Sequence, residues 1–170
     1  MTDDRIRSLL LGALEAQRRH VLAAVDGLTD AQLRTPALPS GWSPIGLVRH
    51  LTLGGERYWL HSVMAGEALD YWPEDRPELD AGRPADWRVE LDEPTDAVVQ
   101  EYRSAIARSN EILAAMPLDA APLRPEPDWP DGRFADLAAV LMHVILDAAT
   151  HAGHLDAARE LIDGRQHLVL

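Results

Sequence analysis

Residues 134–164 read FADLAAVLMHVILDAATHAGHLDAARELIDG, and this stretch predicts one long C-terminal helix. Its apolar residues recur at the spacing of an amphipathic helix with one buried face. Each residue turns about 100° around a helix axis, so His143, Asp147, His151 and His154 fall within a strip roughly 80° wide. Imidazoles and a carboxylate beside a buried face are costly to desolvate unless a partner satisfies them. The stretch therefore predicts a helix that serves both the core and a polar site.

The rest of the chain shows the same helical periodicity in three further segments. The first predicted helix runs from Asp3 to Asp26 and is followed by a short helical turn that Thr29 caps. Ser43 and Pro44 mark the start of the second, which runs to Ala65 and is stopped by Gly66. The third begins at residues 93–95, with Thr95 as its N-cap, and runs to Met116.

These four helices predict an all-α fold, a four-helix bundle with two long crossover loops at residues 67–93 and 117–133. A length of 170 residues is typical of a single domain, so we expect residues 1–170 to form one domain. Hydrophobic residues make up 46% of the chain, with only one Phe and three Tyr, which favours a Leu/Ala/Val helical interior.

The charge of the chain limits the partners it can have. A net charge of −12 would repel nucleic acid and anionic membranes, so we expect neither as a partner. The N-terminal sequence MTDDRIRSLL lacks the basic start of a signal peptide, and no apolar run reaches membrane-spanning length, which predicts a cytoplasmic protein. With no cysteine, any metal ligands must be histidines and carboxylates.

The candidate ligands lie on two of the predicted helices. The C-terminal helix offers Asp147, His151 and His154, and the second helix offers His50 among apolar neighbours. Two histidines and one carboxylate on one face of a divalent ion leave further positions open, a pattern typical of catalytic sites. We expect Zn or Ni. The alternative is that His50 and His151 are half-buried bundle histidines hydrogen-bonded to Asp147.

Two stretches also resemble a known family. GWSPIGLVRHLTLGGERYW at 41–59 and AAVLMHVILDAATHAGHLDAARELIDG at 138–164 are similar to the DinB-like superfamily, and within it to the branch of mycothiol transferases and mycothiol-dependent maleylpyruvate isomerase. The resemblance implies an up-down-down-up bundle with one divalent metal held by His50, Asp147 and His151. The branch usually has Glu-Glu where this chain has Leu146-Asp147. The acid is therefore one methylene shorter, and a bridging water or His154 is the alternative third ligand.

The resemblance also implies a function, a metal-dependent transferase or isomerase that uses a small thiol of the mycothiol kind. The metal would stabilise the thiolate, His154 would act as a base or orienting group, and a small electrophile would be the second substrate. A homodimer is compatible with this assignment. A second hypothesis is a non-catalytic metal- or ligand-binding bundle of the stress response. A third is a structural bundle with an incidental histidine cluster.

The remaining polar and aromatic residues have simpler predicted roles. His143 is expected to support a ligand, and His20, His61 and His167 are expected at the surface. Glu56 and Arg57 should face water. A cosubstrate with sugar and carboxylate groups would need basic residues at the mouth of the site, for which the candidates are Arg49, Arg83, Arg88 and Arg133. The tryptophans are predicted to be packing anchors, with Trp72 and Trp87 able to fold over the metal from the long loop.

Overall fold

The computed structural model describes residues 2–69, 85–125, 130 and 132–167, and its regular structure is entirely helical. The α-helices are α1 (Thr2–Val25), α2 (Asp30–Arg34), α3 (Pro44–His50), α4 (Thr95–Ala115) and α5 (Leu137–Asp163). A π-helical segment, Leu51–Met64, continues α3, and a 3₁₀ turn, Ala85–Trp87, precedes α4. No strand occurs among the described residues, which confirms the predicted all-α class. None of the described helices has both the length and the apolar character needed to cross a bilayer.

Arginines at the helix ends show how the long helices run relative to one another. Arg159, near the end of α5, donates to the carbonyls of Ala24 and Asp26 at 2.8 and 2.7 Å, so α1 and α5 end on the same side. Arg7, near the start of α1, donates to the carbonyl of Met116 at 2.7 Å, so α4 runs the other way. Both contacts satisfy carbonyls that a helix C-terminus leaves without intrahelical partners.

The buried residues form two apolar clusters along the bundle. One contains Ile45 and Val25, and the other contains Met64 and Leu14, so α3 and the π-helical segment run antiparallel to α1. Together with the directions of α4 and α5, this gives the up-down-down-up order. The predicted site lies where the end of α3, at His50, meets the middle of α5.

A buried ion pair lies within this largely apolar interior. Arg18 of α1 donates to both carboxylate oxygens of Glu56, at 2.8 and 2.6 Å, and to Asn110 of α4 at 2.8 Å. Arg18 is 2% exposed and Glu56 is 3% exposed. The prediction that Glu56 faces water is wrong, because a guanidinium from another helix pairs with it inside the bundle.

Most of the predicted helix ends agree with the structure. Ser43 accepts a hydrogen bond from the amide of Gly46 at the start of α3, and Thr29 caps α2 as predicted. Gly164 adopts a left-handed conformation, with φ of 76°, immediately after α5. Thr95 was predicted as the N-cap of α4, but Pro94 holds that position and the Thr95 hydroxyl donates instead to Asp30 at 2.9 Å.

The second long helix differs from the predicted α-helix over Pro44–Ala65. It is α-helical only to His50 and π-helical from Leu51 to Met64. Its last turn includes a hydrogen bond from the Ala65 amide to the Leu60 carbonyl, five residues earlier, at 3.2 Å. Gly54 and Gly55 lie within this segment, and glycine favours α geometry less than other residues do. Such π-helical departures are frequent at functional sites, and this one begins next to His50.

Candidate metal centre

The last residue of α3 and the middle of α5 bring three of the predicted ligands together. His50, Asp147 and His151 each offer one ligand atom, and these atoms all lie within 4.8 Å of one another. The His151 Nε2 lies 3.5 Å from Asp147 Oδ1, as expected for residues four apart on one helix. The His50 and His151 rings meet edge to face, with centroids 4.9 Å apart.

This donor set fits a divalent ion. Two ligand atoms bound to one ion at about 2.1 Å each lie at most about 4.2 Å apart, so the separation between His151 and Asp147 is already suitable. Imidazole and carboxylate together suit Zn and other first-row divalent metals. The His151 ring has its Nε2 towards Asp147, while its Nδ1 is buried and finds no hydrogen-bond partner within the described part of the chain.

The charges around Asp147 keep its carboxylate ionised. Burial raises the pKa of Asp147, but contact with His151 and the positive charges of His151, His50 and His143 outweigh burial and hold the pKa below its usual value. Burial lowers the pKa of His143, with the negative charge of Asp147 acting in the opposite direction. An ionised carboxylate is the form of Asp147 that metal binding requires.

A residue that the sequence did not indicate completes the surroundings of His50. Asp86, in the 3₁₀ turn, places its Oδ2 2.6 Å from His50 Nδ1 and is 7% exposed. The next residue, Trp87, stacks on the His50 ring with centroids 4.3 Å apart. Trp87 therefore does fold over the site from the long loop, as predicted. Asp86 was missed because it lies 36 residues from His50 within an acidic stretch that was expected to be solvated.

The other two histidines of the α5 strip lie beside the cluster. The centroid of the His154 ring lies 5.7 Å from that of the His151 ring and 6.1 Å from that of the Trp42 ring, and His154 is exposed. It is not among the three residues whose ligand atoms converge. The His143 ring packs against Trp59, at 4.5 Å, one turn before Asp147.

The histidines predicted at the surface have different environments. His167 is exposed and stacks on His20 at 3.8 Å. His20 is only partly exposed, because its Nε2 lies 2.8 Å from the carboxylate of Asp156 on α5. His61 is 8% exposed, so its predicted surface position is wrong. Its Nε2 lies 3.1 Å from both the Ala105 carbonyl and the Ser109 hydroxyl, which satisfy it inside the bundle.

The arginines proposed for the mouth of the site also lie in different environments. Arg49 turns towards α4, where it pairs with Glu93 and Glu101. Arg88 follows Trp87 directly and is exposed. The Arg133 guanidinium lies 5.1 Å from the Phe134 ring, and its charge contributes to the lowered pKa of His143. Arg83, Trp72 and Trp129 lie outside the described residues.

Comparison with known proteins adds one finding to this geometry. A family model described as Mycothiol-S-transferase matches residues 9–164, which is most of the chain and includes all three residues of the cluster. No curated protein and no solved structure gives a significant match.

Proposed function

The chain belongs to the mycothiol S-transferase family, and on that premise we propose that it joins mycothiol, or a closely similar thiol, to an electrophilic small molecule with the help of one divalent metal ion. Isomerisation of a substrate through a transient thiol adduct is the variant of this chemistry that the resemblance also implies. The family match supports a thiol substrate, and the site supports the use of a metal.

The observation that carries the proposal is the convergence of His50, Asp147 and His151 within 4.8 Å. We propose these three as the metal ligands, with Zn or Ni as the metal. Three protein ligands leave at least one position open, as in catalytic rather than structural sites. When bound, the ion would supply a positive centre that stabilises a thiolate at neutral pH.

The side chains in and around the cluster would have different roles in the reaction. The chain has no cysteine, so the sulfur nucleophile comes from the cosubstrate. We propose that His154, exposed beside His151, accepts the thiol proton as a general base. Asp147, held ionised by its neighbours, contributes the negative charge that balances the metal.

Groups on both sides of the cluster suit a polar cosubstrate. Arg88 follows the tryptophan that stacks on His50, and Arg133 lies close enough to His143 to influence its pKa. We propose that these arginines hydrogen-bond with hydroxyl or carboxylate groups of the thiol. Trp42, next to His154, would offer a flat apolar surface to the electrophile. The reaction needs a reduced thiol and therefore a reducing compartment such as the cytoplasm.

The test is a transfer assay with mass-spectrometric detection of the sulfur conjugate. Protein loaded with Zn or Ni is incubated with mycothiol and an activated halide, and separately with glutathione in place of mycothiol. We expect conjugate with mycothiol above the uncatalysed rate, a rate lowered about 100-fold or more in His154→Ala, and a smaller rate with glutathione. Metal binding without any conjugate across a range of electrophiles would instead support the non-catalytic metal-binding hypothesis.

A further inference from the structure

The 3₁₀ turn Ala85–Trp87 is seated on the second long helix at two glycines. A Cβ added to Gly46 would lie 2.7 Å from the backbone carbonyl oxygen of Trp87, a distance that real Cβ atoms do not show. A Cβ added to Gly54 would lie 3.3 Å from Asp86 Oδ2 and 3.2 Å from His50 Cε1. The turn therefore approaches the helix as closely as it does because both positions lack a side chain.

This seating places two adjacent side chains of the turn on one imidazole. The Asp86 carboxylate contacts His50 Nδ1 at 2.6 Å, and the Trp87 ring covers the face of His50 with an interplanar angle of 15°. Trp87 also meets the His151 ring edge-on, with centroids 5.5 Å apart. One short turn thus contacts both imidazoles of the proposed metal centre.

We infer that Asp86 is a positioning residue that holds His50 in the tautomer with the proton on Nδ1, leaving Nε2 with a free lone pair for the metal. An ionised carboxylate only accepts hydrogen bonds, so the nitrogen that it contacts must be the one that carries the proton. The stacked Trp87 ring prevents rotation of the imidazole out of this plane. The inference deepens the proposed function and rests on its metal centre, although the tautomer itself does not depend on a metal.

The first test reads the tautomer directly in metal-free protein. Long-range ¹H–¹⁵N spectra of the histidine side chains are recorded well above the ordinary imidazole pKa of about 6.5. We expect His50 of the parent to be protonated at Nδ1. In Asp86→Ala the resonance should shift towards the Nε2-protonated form that predominates for imidazoles in water. In the nearly isosteric Asp86→Asn, the Nδ1-protonated fraction should fall, since the acceptor has lost its charge.

The second test measures zinc affinity in competition with a chelator. We expect Asp86→Ala to bind zinc about 10- to 100-fold more weakly than the parent, the usual effect of losing a group that orients a metal-bound histidine. The matched control is Asp156→Ala, which removes the carboxylate that contacts the Nε2 of His20, a histidine outside the cluster. It should leave both zinc affinity and the His50 tautomer unchanged.

A third variant is designed to move the turn without changing the side chain of Asp86 or of His50. Gly46→Ala forces the Trp87 backbone away from α3 and should weaken zinc binding in the same direction as Asp86→Ala. Gly12→Ala, where an added Cβ meets nothing within 4 Å, controls for a glycine replacement in a helix.

The outcomes separate this inference from the proposed function. If neither Asp86→Ala nor Asp86→Asn changes the His50 tautomer, or if Asp86→Ala binds zinc as tightly as the parent does, the inference is overturned. If the parent itself binds no metal, the proposed function fails, while the spectra of the metal-free variants still decide whether Asp86 sets the tautomer.

Discussion

Asp147 is the residue on which the proposed metal centre depends most, because it supplies the one carboxylate of the converging cluster. Its neighbours hold its pKa low, so it is ionised at neutral pH despite partial burial. Its side chain is one methylene shorter than the glutamate that the resemblance leads us to expect. Substitutions at this position therefore separate the effect of side-chain charge on metal binding from the effect of side-chain length.

If Asp147 is a direct ligand, Asp147→Asn should weaken metal binding by more than about 100-fold, beyond the range typical of residues that only support a ligand. Asp147→Glu should bind as tightly as the parent or more tightly, because it restores the missing length. Chelator competition with one metal measures both. A loss of only about 10- to 100-fold for Asp147→Asn, with a larger loss for His154→Ala, would instead make His154 the third ligand.

His61 provides a pH-dependent prediction away from the metal centre. Burial lowers the pKa of His61 in the folded protein, against the opposing effects of the Ala105 carbonyl and the charge of Glu67. The unfolded state therefore takes up a proton at higher pH than the folded state does. Below about pH 6.5, the free energy of unfolding should fall until the folded pKa is reached, by about 1.4 kcal/mol for each unit between the two pKa values.

Urea denaturation of the parent and His61→Gln at about pH 7.5 and about pH 5 tests this prediction, since these values lie on either side of the unfolded pKa. The parent should lose more stability between the two pH values than the variant does. His143, whose pKa is also lowered by burial, contributes in both proteins and cancels in the comparison. Equal losses in the two proteins would show that His61 does not titrate with a depressed pKa.

Residue identities explain which parts of the site could be predicted from the sequence. His143, Asp147, His151 and His154 share one helix, so helical geometry alone placed them on one strip. Asp86 could not be found in this way, because its contact with His50 depends on the path of a long irregular connection. Nothing local in the sequence separates Asp86 from the acidic residues around it.

At the scale of elements, the interior ion pair connects three helices. Arg18 of α1, Glu56 of the π-helical segment and Asn110 of α4 are joined by hydrogen bonds of 2.6–2.8 Å. A buried pair of this kind costs desolvation, and we expect its main contribution to be the choice of which helix faces meet. Glu56 lies on the same long helix as His50, so we expect the pair to help fix the rotation of that helix about its own axis.

Removing one partner should be more costly than removing both. Glu56→Leu leaves the Arg18 charge buried and unpaired, and we expect it to lower the free energy of unfolding by about 3–5 kcal/mol. The double variant Arg18→Met with Glu56→Leu should recover most of that loss, because two apolar side chains replace the pair. A double-mutant cycle in urea measures both values. Additive losses would mean that the two side chains do not interact in the folded protein.

The elements also show where prediction from the sequence reaches its limit. Helix starts and ends follow from local chemistry, as with Ser43 and Pro44 at the start of α3 and Gly164 after α5. The π-helical segment was not predicted, because its apolar residues suit an α-helix as well. Glu56 was assigned to solvent because its partner lies on another helix, and such pairing depends on the rotation of each helix in the bundle.

At the scale of the whole molecule, a helical bundle brings the end of α3 and the middle of α5 together and supports the candidate centre there. The all-α fold class was predicted from helical periodicity and the Leu/Ala/Val composition, and the structure confirms it. The match over residues 9–164 connects this bundle to a thiol-transferring family.

The most direct test of this account is the metal content of untagged protein, measured by elemental analysis after equilibration with zinc or nickel and removal of excess ion. We expect about one equivalent per chain, lost in both His50→Ala and His151→Ala and retained in His20→Ala, whose histidine pairs with Asp156 instead. The bound fraction should also fall on acidification, because protons compete with the metal for the imidazole nitrogens. The account is contradicted if the parent holds no stoichiometric metal after exposure to Zn, Ni, Mn and Fe, or if both alanine variants at the cluster retain it.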